Sequence, residues 1–228
     1  MKAGKDAPSP YASPACLAGE IAPGYFDPLG VEPQQATDVA RWRKAERINR
    51  LAARSAISVE MRQAIARSIA QHLDQLLQTA FPDLIGKVVS GYWPIKSEPD
   101  LRPWMTSVES RGARLALPVV DVPKTPLVFR PWTSAAPMER GHWNIPVPAT
   151  RDSVIPDIAL APLVGWDRQG FRLGYGGGYF DRTLAAASPR PFTIGVGLQE
   201  ARLATIFPQP HDIRLDAIVT ETGLQWMA

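Results

Sequence analysis

The chain has 228 residues, enough to bury one sizeable core and to form one domain. Hydrophobic residues make up 45% and charged residues 21%, which excludes global disorder. A net charge of +3 is too mild to imply nucleic acid but suits an anionic small molecule, and the chain has neither zinc-finger spacing nor RNP-type aromatic motifs nor long Lys/Arg runs. The single cysteine, Cys16, excludes an internal disulfide and a cysteine metal cluster, so a reducing compartment is expected. The N-terminal segment has no apolar signal-peptide region, and the longest apolar run, 158–166, is far short of the ~20 residues of a membrane span. A cytoplasmic protein is expected, a monomer or weak homo-oligomer with neither nucleic-acid nor membrane partners.

Residues 1–37 carry Pro8, Pro10, Pro14, Pro23, Pro28 and Pro33 without apolar periodicity, which predicts an extended arm ahead of an α/β domain over 38–228. From Asp38, "DVARWRKAERINRLAARSAI" is Ala/Arg-rich and free of Gly and Pro, favouring a helix on which Arg43, Arg47, Arg50 and Arg54 share one side. Ser58 can cap a second helix, with Glu60 in its first turn and Met61, Ile65, Ile69, Leu73, Leu76 and Leu77 as its buried stripe. "FPD" then ends it. His72 falls in that stripe as a packed or edge residue. Strands are expected at "KVVSGYW", "ARLALPVV", "PLVFRPW", "DIALAPLVGW", "FTIGVGL" and "DAIVTE", with helices at "DLRPWMTSVESRG" and "YFDRTLAAA". Continuous apolar strands alternating with helices predict an open, largely parallel sheet covered on both faces, with ligands beyond the carboxyl ends of its strands.

The stretch "RQGFRLGYGGGYFDR" places Gly174, Gly176, Gly177 and Gly178 between Arg172 and Asp181. It matches neither a Walker A loop nor a Rossmann fingerprint. Glycines let backbone N–H groups converge on an anion, the following helix supplies a positive end, and Arg172 offers a planar fork for phosphate oxygens. An acid beside such a cradle, Asp181, is explained by a Mg²⁺ ion held between carboxylate and phosphate. A plain strand-to-helix turn with a solvated acid fits the same residues.

"GWDRQGFRLGYGGGYFDRTL" resembles the signature segment of the 5-formyltetrahydrofolate cyclo-ligase family. "RWRKAERINRLAARSAIS", "YWPIKSEPDL", "HWNIPVP" and "PQPHDIRLDAIVTE" are similar to further segments of that family in the same order, so the resemblance runs from about residue 41 to 221. It implies an ATP-dependent conversion of 5-formyltetrahydrofolate to 5,10-methenyltetrahydrofolate, through phosphorylation of the formyl oxygen and ring closure by N10, releasing ADP and phosphate. Arg43, with Lys44 adjacent, and Arg47 are then implied in ATP binding together with Arg172, Leu173, Gly174, Tyr175, Gly176, Gly177, Gly178, Tyr179 and Phe180. Arg172 and Tyr179 are implied as catalytic, and Asp181 and Asp212 as ligands of Mg²⁺.

For the folate, the resemblance implies Glu98 as the carboxylate that receives the pterin's N–H donors. It adds Trp93, Trp143, Tyr175 and Tyr179, with Tyr92 as a second candidate wall for the ring; Trp143 is read as core with one face toward the folate. Read without the family, Glu98 is equally a turn residue, and Asp212 a loop acid. The pattern departs from the family at Arg43, where a lysine is usual, and at Tyr175 and Gly177, where some members carry a basic residue. Two alternatives stay open: a paralogue with another ATP-dependent or sugar-phosphate activity, and a non-catalytic folate- or nucleotide-binding protein.

Overall fold

The computed structural model describes residues 33–228; Cys16 and most of the proposed arm lie outside them. The chain divides into a unit ending at Val39 and a unit from Ala40 to Ala228. The described part of the first unit is the opening of helix α1, Pro33–Ala56, which begins five residues ahead of Asp38. A proline is suited to that first position, where its missing N–H has no helical partner to lose. Among the described residues no helix is long and apolar enough to cross a membrane.

Helix α2 spans Val59–Ala80, and the Ser58 hydroxyl accepts the Met61 N–H as its N-cap. Ile69, Leu73, Leu76 and Leu77 are buried as expected, but Met61 is 56% exposed. Steps of four residues drift around a helix by about 40° each, so Met61 lies far around from Leu73. His72 is half-buried at the helix edge, with Nδ1 3.2 Å from Gln75 Oε1.

Seven strands form the main sheet: β1 Val88–Ser90, β2 Arg114–Val119, β3 Val128–Trp132, β6 Ile158–Pro162, β9 Phe192–Val196, β10 Ala217–Thr220 and β11 Gly223–Met227. Two further ribbons pair β4 Met138–Arg140 with β5 Pro146–Pro148, and β7 Gly165–Trp166 with β8 Arg172–Leu173. Helix α3, Arg102–Ser110, follows β1, and helix α4, Tyr179–Ala186, follows the glycine loop. The main sheet runs β11-β10-β9-β6-β1-β2-β3, parallel from β10 through β2, with antiparallel β11 and β3 at its edges.

Both faces are covered, because alternate side chains of each strand point opposite ways. Ile158, Leu160, Ala217 and Val219 pack with Leu73 of α2 and Met105 of α3. Ala161 and Ile218 pack on the other side with Leu184 of α4.

The expected strand over 157–166 is corrected to two. The chain leaves the sheet after Pro162, and Gly165–Trp166 turn into the β7–β8 ribbon that carries the glycine loop. A continuous apolar run does not reveal this break, since both pieces are buried. Strand order reverses between β1 and β6, because β2 follows β1 on one side and β6 joins it on the other. Loops beyond the carboxyl ends there diverge and leave a crevice.

The turn between β7 and β8 hangs on Asp167, which is 1% exposed. Its carboxylate accepts the N–H groups of Gln169 and Phe171 on one oxygen and of Ile206 on the other. Asp167→Ala leaves three N–H groups without this acceptor; at about 1–3 kcal/mol for each N–H stranded, a loss of about 3 kcal/mol is expected. For a domain of this size that lowers the thermal midpoint by about 6–12 °C. An unchanged midpoint in a calorimetric scan would mean that these groups find other acceptors.

Candidate active site

The crevice at the β1/β6 reversal is a cavity of about 220 Å³. Helix α1, the segment after β1, the His142–Asn144 turn, the glycine loop and the 206–213 loop all line it.

The glycine loop and α1 make one wall. Gly176 has φ +98° and Gly178 φ +63°, and Gly178 is the N-terminal cap of α4, so side chains at these two positions would strain the turn. At Gly177 a Cβ would fall 2.8 Å from the Tyr179 ring. Arg47 donates from Nε to the Gly174 carbonyl at 2.7 Å, which ties α1 to the loop. Burial, and then the neighbouring Arg43, pull the Arg47 pKa below its ordinary value.

Arg172, on β8, is 8% exposed. Its Nη2 is paired with Asp181 Oδ2 at 3.0 Å, while its buried Nε has no hydrogen-bond acceptor. Burial lowers its pKa, opposed by Asp181. A guanidinium remains charged through such shifts, so the cavity wall holds a buried cation.

Asp181 Oδ1 also accepts the Ile213 N–H at 3.2 Å. Asp212 is held by Arg43 through bonds of 2.5 and 3.2 Å, and accepts the Gln209 N–H. Arg43 further donates to the Ile206 and Phe207 carbonyls, so it anchors the 206–213 loop to α1. Both acids line the cavity. Among the described residues, no group of three His, Cys, Asp or Glu side chains is placed to hold a metal.

Glu98, 6% exposed, also lines the cavity. It follows Lys96 and Ser97, which have φ values of 46° and 62° and turn the chain inward. Glu98 Oε2 accepts the Ile95 N–H at 2.8 Å, and Oε1 accepts the Tyr175 hydroxyl at 2.6 Å. Burial pushes its pKa up, while these two hydrogen bonds and the nearby Arg54 and Lys96 hold it down. Trp93 lines the cavity with the Arg102 guanidinium 4.6 Å from its ring centre. Tyr92 is buried and donates its hydroxyl to the Pro99 carbonyl.

Trp143 is corrected from core to rim: it is 60% exposed. Trp143 and Asn144 have φ values of 54° and 60°, a left-handed turn that lifts the indole onto the cavity mouth, 5.6 Å from the Tyr179 ring. Tyr179 also lies beneath the Arg182 guanidinium, at 5.0 Å, and Phe180 lines the cavity.

Two residues expected here stand apart from the cavity. Lys44 is exposed, a third of a turn from Arg43 on α1, and Leu173 is 1% exposed in a cluster with Leu203 and Ile206. Two residues not singled out for the site support its lining from behind. Arg54 is 5% exposed and bonds Tyr175, and Arg182 holds the Gly177 carbonyl. The spacing of the α1 arginines was the signal for the first; nothing local marks the second.

An open α/β sheet with a crevice at its reversal point, lined by a glycine loop, buried arginines and a buried carboxylate, is an arrangement suited to small-molecule ligands. The profile of the 5-formyltetrahydrofolate cyclo-ligase family matches residues 39–221, and the chain belongs to that family and is an enzyme of the ligase type. It is similar to the 5-formyltetrahydrofolate cyclo-ligase of Mycolicibacterium smegmatis, 34% identical over 59% of this chain and 74% of the relative. The Escherichia coli K12 5-formyltetrahydrofolate cyclo-ligase is 29% identical over 76% of this chain and 97% of its own. The solution structure of Aquifex aeolicus 5,10-methenyltetrahydrofolate synthetase superposes with a TM-score of 0.67 at 27% identity, covering 80% of this chain and 91% of that one.

Proposed function

We propose that the protein converts 5-formyltetrahydrofolate to 5,10-methenyltetrahydrofolate with breakdown of ATP to ADP and phosphate, and that it does so in the cytoplasm. The observation that carries this reading is that the buried guanidinium of Arg172, beside the glycine loop, lines the same cavity as the buried carboxylate of Glu98. One suits a phosphate, and the other suits a pterin edge of N–H donors. Family membership supports the pairing.

In this reading the formyl oxygen, made nucleophilic by the N5 lone pair, takes the γ-phosphoryl group, and ADP leaves with the bonding electrons. N10 then adds to the formyl carbon and loses its proton. The carbon–oxygen bond breaks with phosphate as the leaving group, which leaves the N5–C–N10 amidinium. Arg172, Arg47 and the backbone of Gly174–Gly178 hold the phosphate oxygens, so most of the acceleration is positioning and charge neutralisation. Tyr179 and Phe180 close the wall between the two substrates. Glu98 receives the pterin donors, with Trp93 and Trp143 against the ring.

Asp181 and Asp212 fit Mg²⁺ by chemistry. Both are hard oxygen donors with lone pairs left beyond their arginine and backbone contacts, and this ion takes one or two carboxylates with phosphate oxygens completing its shell. Bound there, the ion would neutralise phosphate charge.

The test is 5-formyltetrahydrofolate plus MgATP with the protein, following methenyl absorbance against a blank without ATP. ATP-dependent absorbance is expected. Folded protein that binds ATP yet forms no chromophore would point to a paralogue whose departures at Arg43, Tyr175 and Gly177 serve another substrate.

A further inference from the structure

A chain of polar contacts runs from Arg54 to Tyr175 and Glu98, the last two of which line the cavity. Arg54, near the end of α1, spends each part of its guanidinium on a different segment. Nε donates to the Lys96 carbonyl at 3.0 Å, Nη1 to the Leu163 carbonyl at 3.1 Å, and Nη2 to the Tyr175 hydroxyl oxygen at 2.5 Å. That last contact occupies the oxygen as an acceptor, so the hydroxyl proton can point only elsewhere, and Glu98 Oε1 stands 2.6 Å away to take it. The Tyr175 ring lies between two cations, Arg54 at 5.8 Å and Lys96 at 5.1 Å from its centre, which holds it in place.

We infer that Arg54 and Tyr175 are positioning residues for Glu98: together they orient its carboxylate toward the cavity and keep it an acceptor. The inference rests on the folate role proposed for Glu98. Neither residue needs to touch the reacting atoms. Their chemistry acts through one oxygen of Glu98, leaving its remaining lone pairs for a ligand edge of N–H donors.

The surrounding groups make the arrangement testable by pH. Glu98 faces Arg54 from α1, Tyr92 after β1, Lys96 on its own segment and Tyr175 from the glycine loop, while Asp100 acts on Tyr92. Burial raises both tyrosines above their ordinary values, so they stay protonated while Glu98 titrates. Glu98 is raised by burial and held down by the Tyr175 hydroxyl. Removing that hydroxyl therefore raises it further. Folate affinity falls as pH drops through the Glu98 titration, and in the variant this fall must begin at higher pH.

The experiment is calorimetric titration of 5-formyltetrahydrofolate, without ATP, into the wild type, Tyr175→Phe and Arg54→Lys across mildly acidic to neutral pH. Thermal scans of each protein establish folding. In both variants the acid limb of the affinity profile is expected to move upward, with a folate Kd about tenfold weaker on the acid side, the size of a lost hydrogen bond to a charged group. The double variant should move it no further than the larger single shift, since both residues act through one contact.

A folded Tyr175→Phe protein whose limb stays in place overturns the inference. So does a Kd weakened equally at every pH, which is what a merely structural role produces. If Tyr175→Phe does not fold, Arg54→Lys decides by the same criterion, because it alters the same contact from the other end. A wild type that binds no folate fails the folate reading itself and takes the inference with it; failure confined to the variants leaves that reading standing.

Discussion

Asp181→Asn is expected to lower kcat about a hundredfold or more, the scale of removing a group that stabilises transferred charge, while folate affinity stays close to that of the wild type. Asp181 is paired with Arg172 at 3.0 Å, whereas Glu98 is held by the Tyr175 hydroxyl and the Ile95 N–H. Asparagine can still accept the Ile213 N–H but has no charge for an ion or for Arg172. The variant therefore separates two consequences. Arg172, freed of its counter-charge, should bind nucleotide as well as before or better when no metal is added. Turnover with MgATP should collapse.

The side chains of this pair are 5% and 15% exposed. Breaking a buried pair commonly costs about 3–5 kcal/mol, so the thermal midpoint should fall as well; assays belong well below it. Full ATP-dependent turnover in the variant would remove Asp181 from any metal role.

Glu98→Gln should weaken folate binding by about ten- to a hundredfold, the range for losing a hydrogen bond to a charged acceptor. Nucleotide affinity should hold. The amide oxygen can still take the Tyr175 hydroxyl, but the amide NH₂ then meets the Ile95 N–H, donor against donor. The charge that favoured a pterin's N–H edge is gone. In the wild type, folate affinity should decline as pH falls toward the Glu98 titration, which burial places above the ordinary carboxylate range. The glutamine variant should lack that limb, because it has no proton to gain there. Lost ATP affinity with intact folate affinity would move Glu98 to the other half of the site.

Much of this fold can be read locally. Ser58 caps α2 because its hydroxyl needs only the backbone three residues on. The apolar runs at 114–119, 192–196 and 217–220 become strands because each is apolar enough to be buried in the sheet. The glycine loop is legible for the same reason, since positive φ at Gly176 and Gly178 is a property of the chain at those residues. The α1 arginines signal a shared side by spacing alone.

What the tertiary structure decided is where those parts meet. Trp143 is apolar and was expected in the core, yet two left-handed residues put it at the cavity mouth. Lys44 and Arg43 are neighbours in sequence, but only Arg43 turns inward to Asp212, because successive residues on a helix point about 100° apart. The pairing of Arg172 with Asp181, and the chain from Arg54 through Tyr175 to Glu98, join residues up to 121 positions apart.

The sequence by itself determined the local conformations, the α/β class and the chemical groups available for a phosphate and a pterin. Packing brings those groups into one crevice, pairs Arg172 with Asp181 and buries Glu98. Periodicity and turn preference act over a few residues, whereas desolvation and ion pairing depend on which distant segments the packed sheet brings within a few ångströms.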